Sequence, residues 1–346
     1  MNILITGASG FLGTHCFQSL RQNGHNLTLV DIAPPDGERQ TPGCRFERVD
    51  IRQKHAVSPL IQGAHIVIHA AAALPLWKRG DIFSTNVEGT RNILSAALSH
   101  GIQRVIYISS TAVYGIPEKH PILESDRLMG VGPYGESKIL AEKLCLDFME
   151  KGLDITILRP KTFLGAGRLG VFEILFDWVH DGKKIPVIGD GQNLYQLLAV
   201  DDLVEVITLC IQNASKEYND VFNVAAETFG TVQEDLNALF EFAQSGSRVQ
   251  PTPATLVKGA LRIFEMLHLS PLYQWVYDTA DKDSFVSIDK LKNTFHWSPR
   301  FSNAQILIKT YEWYLKNYAL IKSRQAGITH TAAWKQGLLA LVKKFM

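Results

Sequence analysis

The sequence predicts an α/β protein in which a doubly wound parallel sheet is followed by a smaller, mostly helical C-terminal substrate lid. Two observations support this fold class. Short apolar runs without polar alternation, typical of strands buried on both faces, take turns with helical stretches as far as about Pro160. After that the regular alternation stops, and from Thr231 the chain reads as mainly helical. We therefore predict a sheet domain over 1–165, to which 190–225 return, a lid over 166–322 and a separate tail over 323–346.

Apolar runs and helical periodicity predict where the strands and helices lie along the chain. Apolar runs predict six strands, at Asn2–Thr6, Leu27–Val30, Arg45–Val49, Ala64–His69, Arg104–Ser109 and Asp154–Leu158. Helical periodicity predicts helices over Asn86–His100 and Tyr134–Met149, each of which ends near a glycine suited to a C-cap. In the second half we expect helices over Val171–His180 and Val200–Ile211, a turn at Lys183–Asp190, a strand at Val221–Val224 and loops around Pro251–Pro253 and Asp278–Ser284.

Composition excludes several classes of function. The chain has 346 residues, and its 35 Lys and Arg against 34 Asp and Glu give a formal charge of +1, so nothing favours a nucleic-acid partner. The four cysteines form no CxxC pair and the histidines no HExxH, so neither a disulfide framework nor a metal site is predicted. No apolar stretch is long enough to span a bilayer. We expect a cytoplasmic protein with a small-molecule substrate.

The first strand runs into a glycine loop, Gly7-Ala8-Ser9-Gly10-Phe11-Leu12-Gly13, that opens a helix. Glycines allow a sharp turn and let backbone N–H groups approach a pyrophosphate at the helix N-terminus. Asp31 follows Gly13 by 18 residues, at the end of the second strand. A carboxylate there accepts hydrogen bonds from ribose hydroxyls and repels a 2′-phosphate. This order of strand, loop, helix, strand and acid predicts a Rossmann dinucleotide site that prefers NAD to NADP.

Tyr134 and Lys138 are four residues apart on a predicted helix and so share one face. A phenol has a pKa of about 10, so it acts as a base at neutral pH only beside a cation. We expect Lys138 to supply that charge and to hold the nicotinamide ribose. Ser110, at the end of the fifth strand, would orient the substrate oxygen. The pattern predicts hydride and proton transfer at a secondary alcohol or ketone.

Both patterns occur a second time in the chain. Gly165–Gly170 also fits GxGxxG, with Asp190 beyond it, and Tyr318 with Lys322 also fits YxxxK. Neither copy lies in the right order of strand, loop and helix. We interpret the second glycine run as a turn into the lid, and the second Tyr–Lys pair as a solvated helix pair.

Taken together, the motifs resemble the extended short-chain dehydrogenase/reductases, and among them the NAD-dependent epimerase/dehydratase family. The resemblance extends from Met1 to about Trp313. In chain order it is carried by TGASGFLG (6–13), Asp31, Asp50-Ile51, HAAA (69–72), NVEGTRNIL (86–94), ISSTAVYG (108–115), PYGESK (133–138), LRP (158–160) and VDDL (200–203).

The resemblance implies an NAD-dependent oxidoreductase that acts as a homodimer. It implies that Ser110, Tyr134 and Lys138 are catalytic. Cofactor-binding residues would be Gly7, Gly10, Phe11, Leu12, Gly13, Asp31, Asp50, Ile51, Ala70, Ala71, Asn86, Tyr134, Lys138, Pro160 and Thr162. Substrate-facing residues would be Thr111 and Tyr195.

Departures from the family pattern leave the substrate open. Sugar-nucleotide 4,6-dehydratases follow the catalytic hydroxyl with an Asp-Glu pair, where this chain has Thr111 and Ala112. Nucleotide-sugar epimerases usually carry an arginine five residues before the VDDL valine, where this chain has Tyr195, and the asparagine expected in RPKTFLG is also absent. Both losses weaken a nucleotide-sugar assignment, because a diphosphate needs charge-assisted donors.

Two alternatives follow. The chain also resembles the 3β-hydroxysteroid and sterol-4-carboxylate dehydrogenases, which take apolar substrates. Two segments favour this alternative: the apolar stretch Leu261–Tyr277 and the C-terminal segment His330–Met346. That segment reads as an amphipathic helix that docks on its own protein or on a dimer partner, or that contacts a membrane surface. The other alternative is a non-catalytic NAD-sensing scaffold. Such proteins tend to lose the Tyr or the Lys, and both are present here.

Overall fold

The computed structural model describes residues 1–35, 42–75, 77–213, 215–266, 274–323 and 343. Within these residues seven strands form one sheet. They are β1 (Asn2–Thr6), β2 (Asn26–Asp31), β3 (Cys44–Arg48), β4 (Ile66–His69), β5 (Arg104–Ile108), β6 (Ile155–Pro160) and β10 (Val221–Val224).

The sheet has the order β10-β6-β5-β4-β1-β2-β3, and every pairing in it is parallel. From β1 the chain builds one side of the sheet through β2 and β3. It then crosses to β4 and builds the other side. The predicted doubly wound parallel sheet is confirmed.

Two small parallel pairs lie outside the seven-stranded sheet. They are β7 (Thr162–Leu164) with β9 (Leu197–Ala199), and β8 (Lys184–Ile188) with β11 (Arg248–Thr252).

The helices lie on both faces of the sheet and in the C-terminal half. They are α1 (Phe11–Gln22), α2 (Lys54–Ile61), α3 (Arg79–Phe83), α4 (Thr90–Ser99), α5 (Gly132–Glu150), α6 (Val171–His180), α7 (Val200–Gln212), α8 (Val232–Ala243), α9 (Ala254–Met266), α10 (Gln274–Thr279), α11 (Asp289–Phe295), α12 (Asn303–Lys316) and α13 (Tyr318–Ser323). A π-helical segment, Ser84–Gly89, leads into α4.

Alternate residues of each central strand enter different apolar clusters, because successive side chains of a strand point to opposite faces. Ile3 and Ile5 of β1 pack with α1, α7 and α11, whereas Leu4 packs with α2, α4 and α5. A third cluster joins α6, α8 and α12 of the C-terminal half. Burial on both faces explains why the strands are continuous apolar runs.

Two segments differ from the sequence prediction. The expected turn at Lys183–Asp190 contains β8, and the loop expected around Pro251 contains β11. The two strands pair with each other in parallel, with Gln250 opposite Pro186. A two-stranded sheet has free edges that tolerate proline, and its partner is distant in sequence, so local composition does not reveal it.

Much of the predicted tail lies outside the described residues, as does 267–273 of the apolar stretch before Tyr277. Of the segment His330–Met346 only Lys343 is described. Its ammonium lies 2.5 Å from an Asp177 carboxylate oxygen and 2.7 Å from one of Asp181. Among the described helices, none combines the length and apolar character needed to cross a membrane.

Candidate active site

A cavity of about 380 Å³ opens where β1, β2 and β4 end. Its walls include most residues predicted to bind the cofactor: Gly7, Gly10, Phe11, Leu12, Gly13, Asp31, Asp50, Ile51, Ala70, Ala71, Tyr134 and Lys138. The glycine loop is closely packed. A Cβ on Gly13 would lie 2.2 Å from the carbonyl oxygen of Gly7, and one on Gly7 would lie 2.7 Å from the amide nitrogen of Ala71. A larger residue at either position would force the loop to move; we call the space that Gly7 and Gly13 leave open the cradle.

Asp31 ties the glycine loop to the end of β2. Its Oδ2 accepts the amide N–H of Ser9 at 2.9 Å, and its Oδ1 accepts that of Ala33 at 3.1 Å. Each carboxylate oxygen keeps a second lone pair for a ligand hydroxyl. The structure therefore gives this acid a role in shaping the loop in addition to the role that the sequence predicted.

Three residues predicted to bind the cofactor lie elsewhere. Asn86 is 1% exposed and lies behind the cavity wall, where its side chain accepts the Ala73 amide at 2.7 Å and donates to Ser137 Oγ at 2.9 Å. Its π-helical segment packs against α5, so it positions the wall of the cavity and does not form it. Pro160 and Thr162 line the neighbouring cavity described below.

Tyr134 is half-buried on α5, and burial raises the pKa of its phenol to about 12. A hydrogen bond with Ser110 and the positive charge of Arg168 act in the opposite direction. At neutral pH the phenol is therefore protonated, which suits a proton donor. The sequence predicts that the charge of Lys138 lowers this pKa; in the structure the lowering effects come from Ser110 and Arg168, and burial outweighs them.

The ammonium of Lys138 is held at the end of β5. Its Nζ donates to the carbonyl oxygen of Ile108 at 2.8 Å and lies 4.9 Å from the ring centroid of Tyr107. Burial lowers the pKa of Lys138 to about 8, while the charge of Glu142 raises it. The i, i+4 spacing fixes the shared helix face, but the carbonyl at the end of β5 decides where the long side chain ends.

A buried network lies next to these residues. Ser109 donates to Glu142 Oε1 at 2.5 Å, and Arg159 Nη2 lies 2.6 Å from Glu142 Oε2. Arg159 also donates to the Tyr114 hydroxyl at 2.7 Å. The network joins β5, α5 and β6. Ser109, Tyr114 and Arg159 lie inside motifs of the family resemblance, but sequence reasoning gave none of the four residues a role.

His69 links two other elements of the site. Its Nδ1 lies 2.7 Å from Thr6 Oγ1 and its Nε2 lies 3.0 Å from Thr90 Oγ1. Burial, with a smaller effect from the charge of Lys138, lowers the pKa of His69 to about 3, so the ring is neutral. Nowhere in the described ranges do three His, Cys, Asp or Glu side chains gather in a way suited to a metal ion.

A second cavity, of about 480 Å³, adjoins the first. The two share Leu74, Ser109, Tyr134 and Phe163 as walls. The second also contains the predicted catalytic and substrate-facing residues Ser110, Thr111 and Tyr195. Lid residues that line it are largely apolar: Val171, Phe172, Leu175, Val232, Leu236 and Leu307.

Sequence reasoning missed two cations in this second cavity. Lys161 is 2% exposed; its Nζ donates to Ser284 Oγ at 2.7 Å and lies 4.8 Å from the ring centroid of Tyr195. Arg168 is 7% exposed, and its guanidinium lies 5.6 Å from the ring centroid of Phe163. Local spacing carries no signal for either cation, because their places depend on contacts between distant segments.

Both duplicate motifs lie outside the cofactor cavity and make structural contacts. The loop 165–170 packs against the first glycine loop's helix, since the carbonyl of Ala166 lies 2.7 Å from His15 Nε2. The same loop also packs closely against α7: a Cβ on Gly165 would lie 2.5 Å from Val200 Cγ1. In the second Tyr–Lys pair, Lys322 forms an ion pair with the buried Asp177, so the pair is not simply solvated as predicted.

Comparison with known proteins gives three kinds of match. Residues 3–225, more than half of the chain, match the NAD dependent epimerase/dehydratase family. An uncharacterized protein of Sinorhizobium fredii, y4nG, is 36% identical over 341 residues, which cover 98% of this chain and 85% of that protein.

The similar solved structures include two sugar-nucleotide epimerases. One is the UDP-glucose 4-epimerase of Thermotoga maritima with UDP-glucose, with a TM-score of 0.77 and 23% identity over 92% of this chain and 100% of that one. The other is the UDP-glucuronic acid 4-epimerase of Bacillus cereus with NAD, with a TM-score of 0.76 and 22% identity over 92% of this chain and 98% of that one. At this identity the likeness shows the fold.

Proposed function

The chain belongs to the NAD-dependent epimerase/dehydratase family, and we propose that it transfers hydride between NAD and a secondary alcohol or ketone. In this proposal Tyr134 and Ser110 do the acid–base work, beside the buried ammonium of Lys138. One observation carries it: Tyr134 lies in the wall between the two cavities, so a cofactor in the first and a substrate in the second would meet at its hydroxyl.

The first cavity fits a dinucleotide. The cradle at Gly7 and Gly13 is too tight for any Cβ, which leaves backbone N–H groups open to a pyrophosphate. Asp31 offers acceptors for ribose hydroxyls. Trp77 lines the same cavity, and its indole Nε1 is buried without a hydrogen-bond partner among the described residues, so it offers a further donor. When bound, NAD accepts the hydride of a carbinol carbon and can return it.

The protein's own part is to hold and move a proton. In the reducing direction the protonated phenol of Tyr134 donates to the carbonyl oxygen of the substrate, and Ser110 donates a second hydrogen bond to that oxygen. In the oxidising direction Tyr134 takes the hydroxyl proton only as its phenolate, which is the minority form at neutral pH, so the phenol must first release its own proton. The charge of Arg168, which opposes the effect of burial on the phenol's pKa, favours that direction. Lys138 holds the end of β5 and contributes donors toward the cofactor cavity.

For the substrate we propose a nucleotide sugar, as named for the two similar epimerase structures. The apolar lid wall favours a second candidate, a sterol or lipid alcohol. A carboxylate pair beside Ser110 for dehydration is absent from the described cavity walls, where Thr111 and Ala112 follow the serine. The homodimer, the cytoplasmic location and the membrane contact of the tail stay predictions, as do the assigned domain boundaries.

The test uses the full chain loaded with NAD. UDP-glucose, UDP-glucuronate and a 3β-hydroxysteroid are supplied in turn, and NADH absorbance and product stereochemistry are followed. Net NADH supports a dehydrogenase, and an epimerised sugar without net NADH supports an epimerase. Turnover of the steroid alone would select the second candidate. Binding of NAD with no redox change or epimer for any substrate would favour the non-catalytic scaffold and overturn the proposal.

A further inference from the structure

Lys138 is 3% exposed, and the described hydrogen bonds of its ammonium go to neutral oxygens. Its Nζ donates to the carbonyl oxygen of Ile108 at 2.8 Å and to the hydroxyl of Tyr107 at 3.4 Å. The Tyr107 ring also faces the charge, with its centroid 4.9 Å from Nζ. Tyr107 is 1% exposed and belongs to the wall of neither described cavity. It therefore contacts the lysine with hydroxyl and ring, and can act on a ligand only through the lysine.

The direction of the Tyr107 hydroxyl follows from the hydroxyl of Thr90, with which it shares a hydrogen bond. Thr90 Oγ1 lies 2.7 Å from the carbonyl oxygen of Asn86. A carbonyl oxygen can only accept, so the single hydroxyl proton of Thr90 lies in that bond. Thr90 then accepts from Tyr107, and the phenol proton points at Thr90. The lone pairs of the phenol oxygen are left for the ammonium of Lys138.

His69 completes this arrangement from β4. Its Nε2 lies 3.0 Å from the same Thr90 Oγ1, which has no proton left to donate, so Nε2 carries the imidazole proton. The ring is neutral, because burial lowers its pKa to about 3, so Nδ1 accepts the hydroxyl proton of Thr6 at 2.7 Å. Thr6 Oγ1 accepts the amide of Ala71 at 3.2 Å, beside the cradle. A chain of directed hydrogen bonds thus joins the glycine loop to the phenol of Tyr107.

The titratable groups around Lys138 differ in charge. Glu142 raises the pKa of the lysine through its charge, against the larger effect of burial. Burial raises the pKa of Cys145 and of Tyr107 well above their ordinary values, so both are protonated and uncharged near neutral pH. His69 is neutral as well. Tyr107 is therefore an acceptor for the ammonium and not a counter-ion, and removing its hydroxyl changes the hydrogen bonding of Lys138 without changing the charge around it.

We propose that Tyr107 is a positioning residue that holds the ammonium of Lys138 at the end of β5, with its phenol turned toward the lysine by Thr90 and His69. The proposal deepens the proposed function and rests on it, because Lys138 offers its donors to the cofactor cavity there. An ammonium that loses the phenol oxygen loses an acceptor for one of its N–H groups, which favours the neutral amine. A neutral amine is the poorer donor, so the hydroxyl of Tyr107 sustains the lysine's action on the cofactor.

The first experiment measures the pKa of Lys138 by NMR of isotope-labelled lysine in the full chain, where Lys138→Met identifies the resonance. Tyr107→Phe keeps the ring and removes the hydroxyl. Burial lowers the pKa of Lys138 to about 8 in the native protein, and we expect the variant to lower it further, by about one pH unit. The control is Tyr218→Phe, at a buried tyrosine outside both cavities whose ring centroid lies 5.8 Å from the Arg104 guanidinium. It should leave the titration unchanged.

The affinity for NAD supplies a second readout, which separates positioning from a loss of stability. At about pH 8 Tyr107→Phe should bind NAD about five-fold more weakly than the wild type, because fewer of its lysines are charged. At about pH 6 the lysine is charged in both proteins, so the difference should disappear. A variant that is only less stable would show no such dependence on pH.

An unchanged pKa of Lys138 in Tyr107→Phe would overturn the proposal. Should that variant fail to fold, Thr90→Val removes the hydroxyl that directs the phenol, and an unchanged pKa of Lys138 there would overturn it equally. Failure of the proposed function has a different signature. A wild type that binds NAD but never transfers hydride, together with a lowered pKa in Tyr107→Phe, would retain the positioning and remove the activity. Normal hydride transfer with an unshifted lysine would retain the activity and remove the role of Tyr107.

Discussion

Glu142 and Arg159 form a buried ion pair, with Oε2 of the glutamate 2.6 Å from Nη2 of the arginine. The other glutamate oxygen accepts the hydroxyl of Ser109, a residue common to both cavities. The same carboxylate lies one helical turn beyond Lys138 and raises its pKa. One ion pair therefore connects the stability of the sheet with the charge state of the site.

Replacing Glu142 by Gln should destabilise the protein strongly. Arg159 would keep its charge in a buried place with no acid to balance it, and removing one partner of a buried pair costs about 3–5 kcal/mol. Urea denaturation would measure the change, with Glu150→Gln, at an exposed position of the same helix, as the control. Equal stability of the two variants would show that the pair contributes little.

Tyr134→Phe should abolish hydride transfer and leave NAD binding intact, because it removes the hydroxyl and keeps the ring. Stopped-flow absorbance of NADH reports the first property, and fluorescence titration with NADH the second. The control is Tyr318→Phe, in the duplicate YxxxK motif, where the ring stacks on His180 with centroids 4.5 Å apart. Retained transfer in Tyr134→Phe would remove the proton role from this residue.

Gly13→Ala should impair both stability and NAD binding. The new methyl group would lie 2.2 Å from the Gly7 carbonyl oxygen and 2.6 Å from Ala8 Cα, so the loop must move. Overpacking of this kind costs roughly 1–3 kcal/mol. Gly80→Ala is the matched control, because a Cβ there meets nothing within 4 Å. Thermal unfolding with and without NAD would compare the two variants. A Gly13→Ala protein that NAD stabilises as much as the wild type would contradict the role of Gly13 in NAD binding.

Asp31→Asn should reduce the discrimination between NAD and NADP. The substitution removes the charge that repels a 2′-phosphate and leaves either Ser9 or Ala33 without its carboxylate acceptor. Hydrogen bonds to a charged group contribute about 1.5–3 kcal/mol, so the affinity for NAD should fall by at least about ten-fold. The control is Asp190→Asn. Among the described contacts, the Asp190 carboxylate accepts only the N–H of Gln192, at 3.0 Å, within a local turn. An unchanged NAD/NADP ratio would exclude this role.

Much of the fold could be predicted from local pattern. The strands of the large sheet, the glycine loop and Asp31 lie where the alternation of apolar runs and helices put them, because burial on both faces of a parallel sheet leaves a direct mark on composition. The small strands β8 and β11 have no such continuous apolar composition. Each is paired with a segment some 60 residues away, and prolines at 186 and 251 suggest loops.

For the site, the sequence determined that Ser110 follows β5 and that Tyr134 and Lys138 share one face of α5. Only the tertiary structure decided what those side chains touch. It turned Lys138 toward Ile108, placed Asn86 behind the cavity wall and brought Lys161 against Tyr195 beside Ser284. The physical reason is that helix and strand periodicity fix the face on which a residue lies, whereas the end of a long side chain goes to partners supplied by distant parts of the chain.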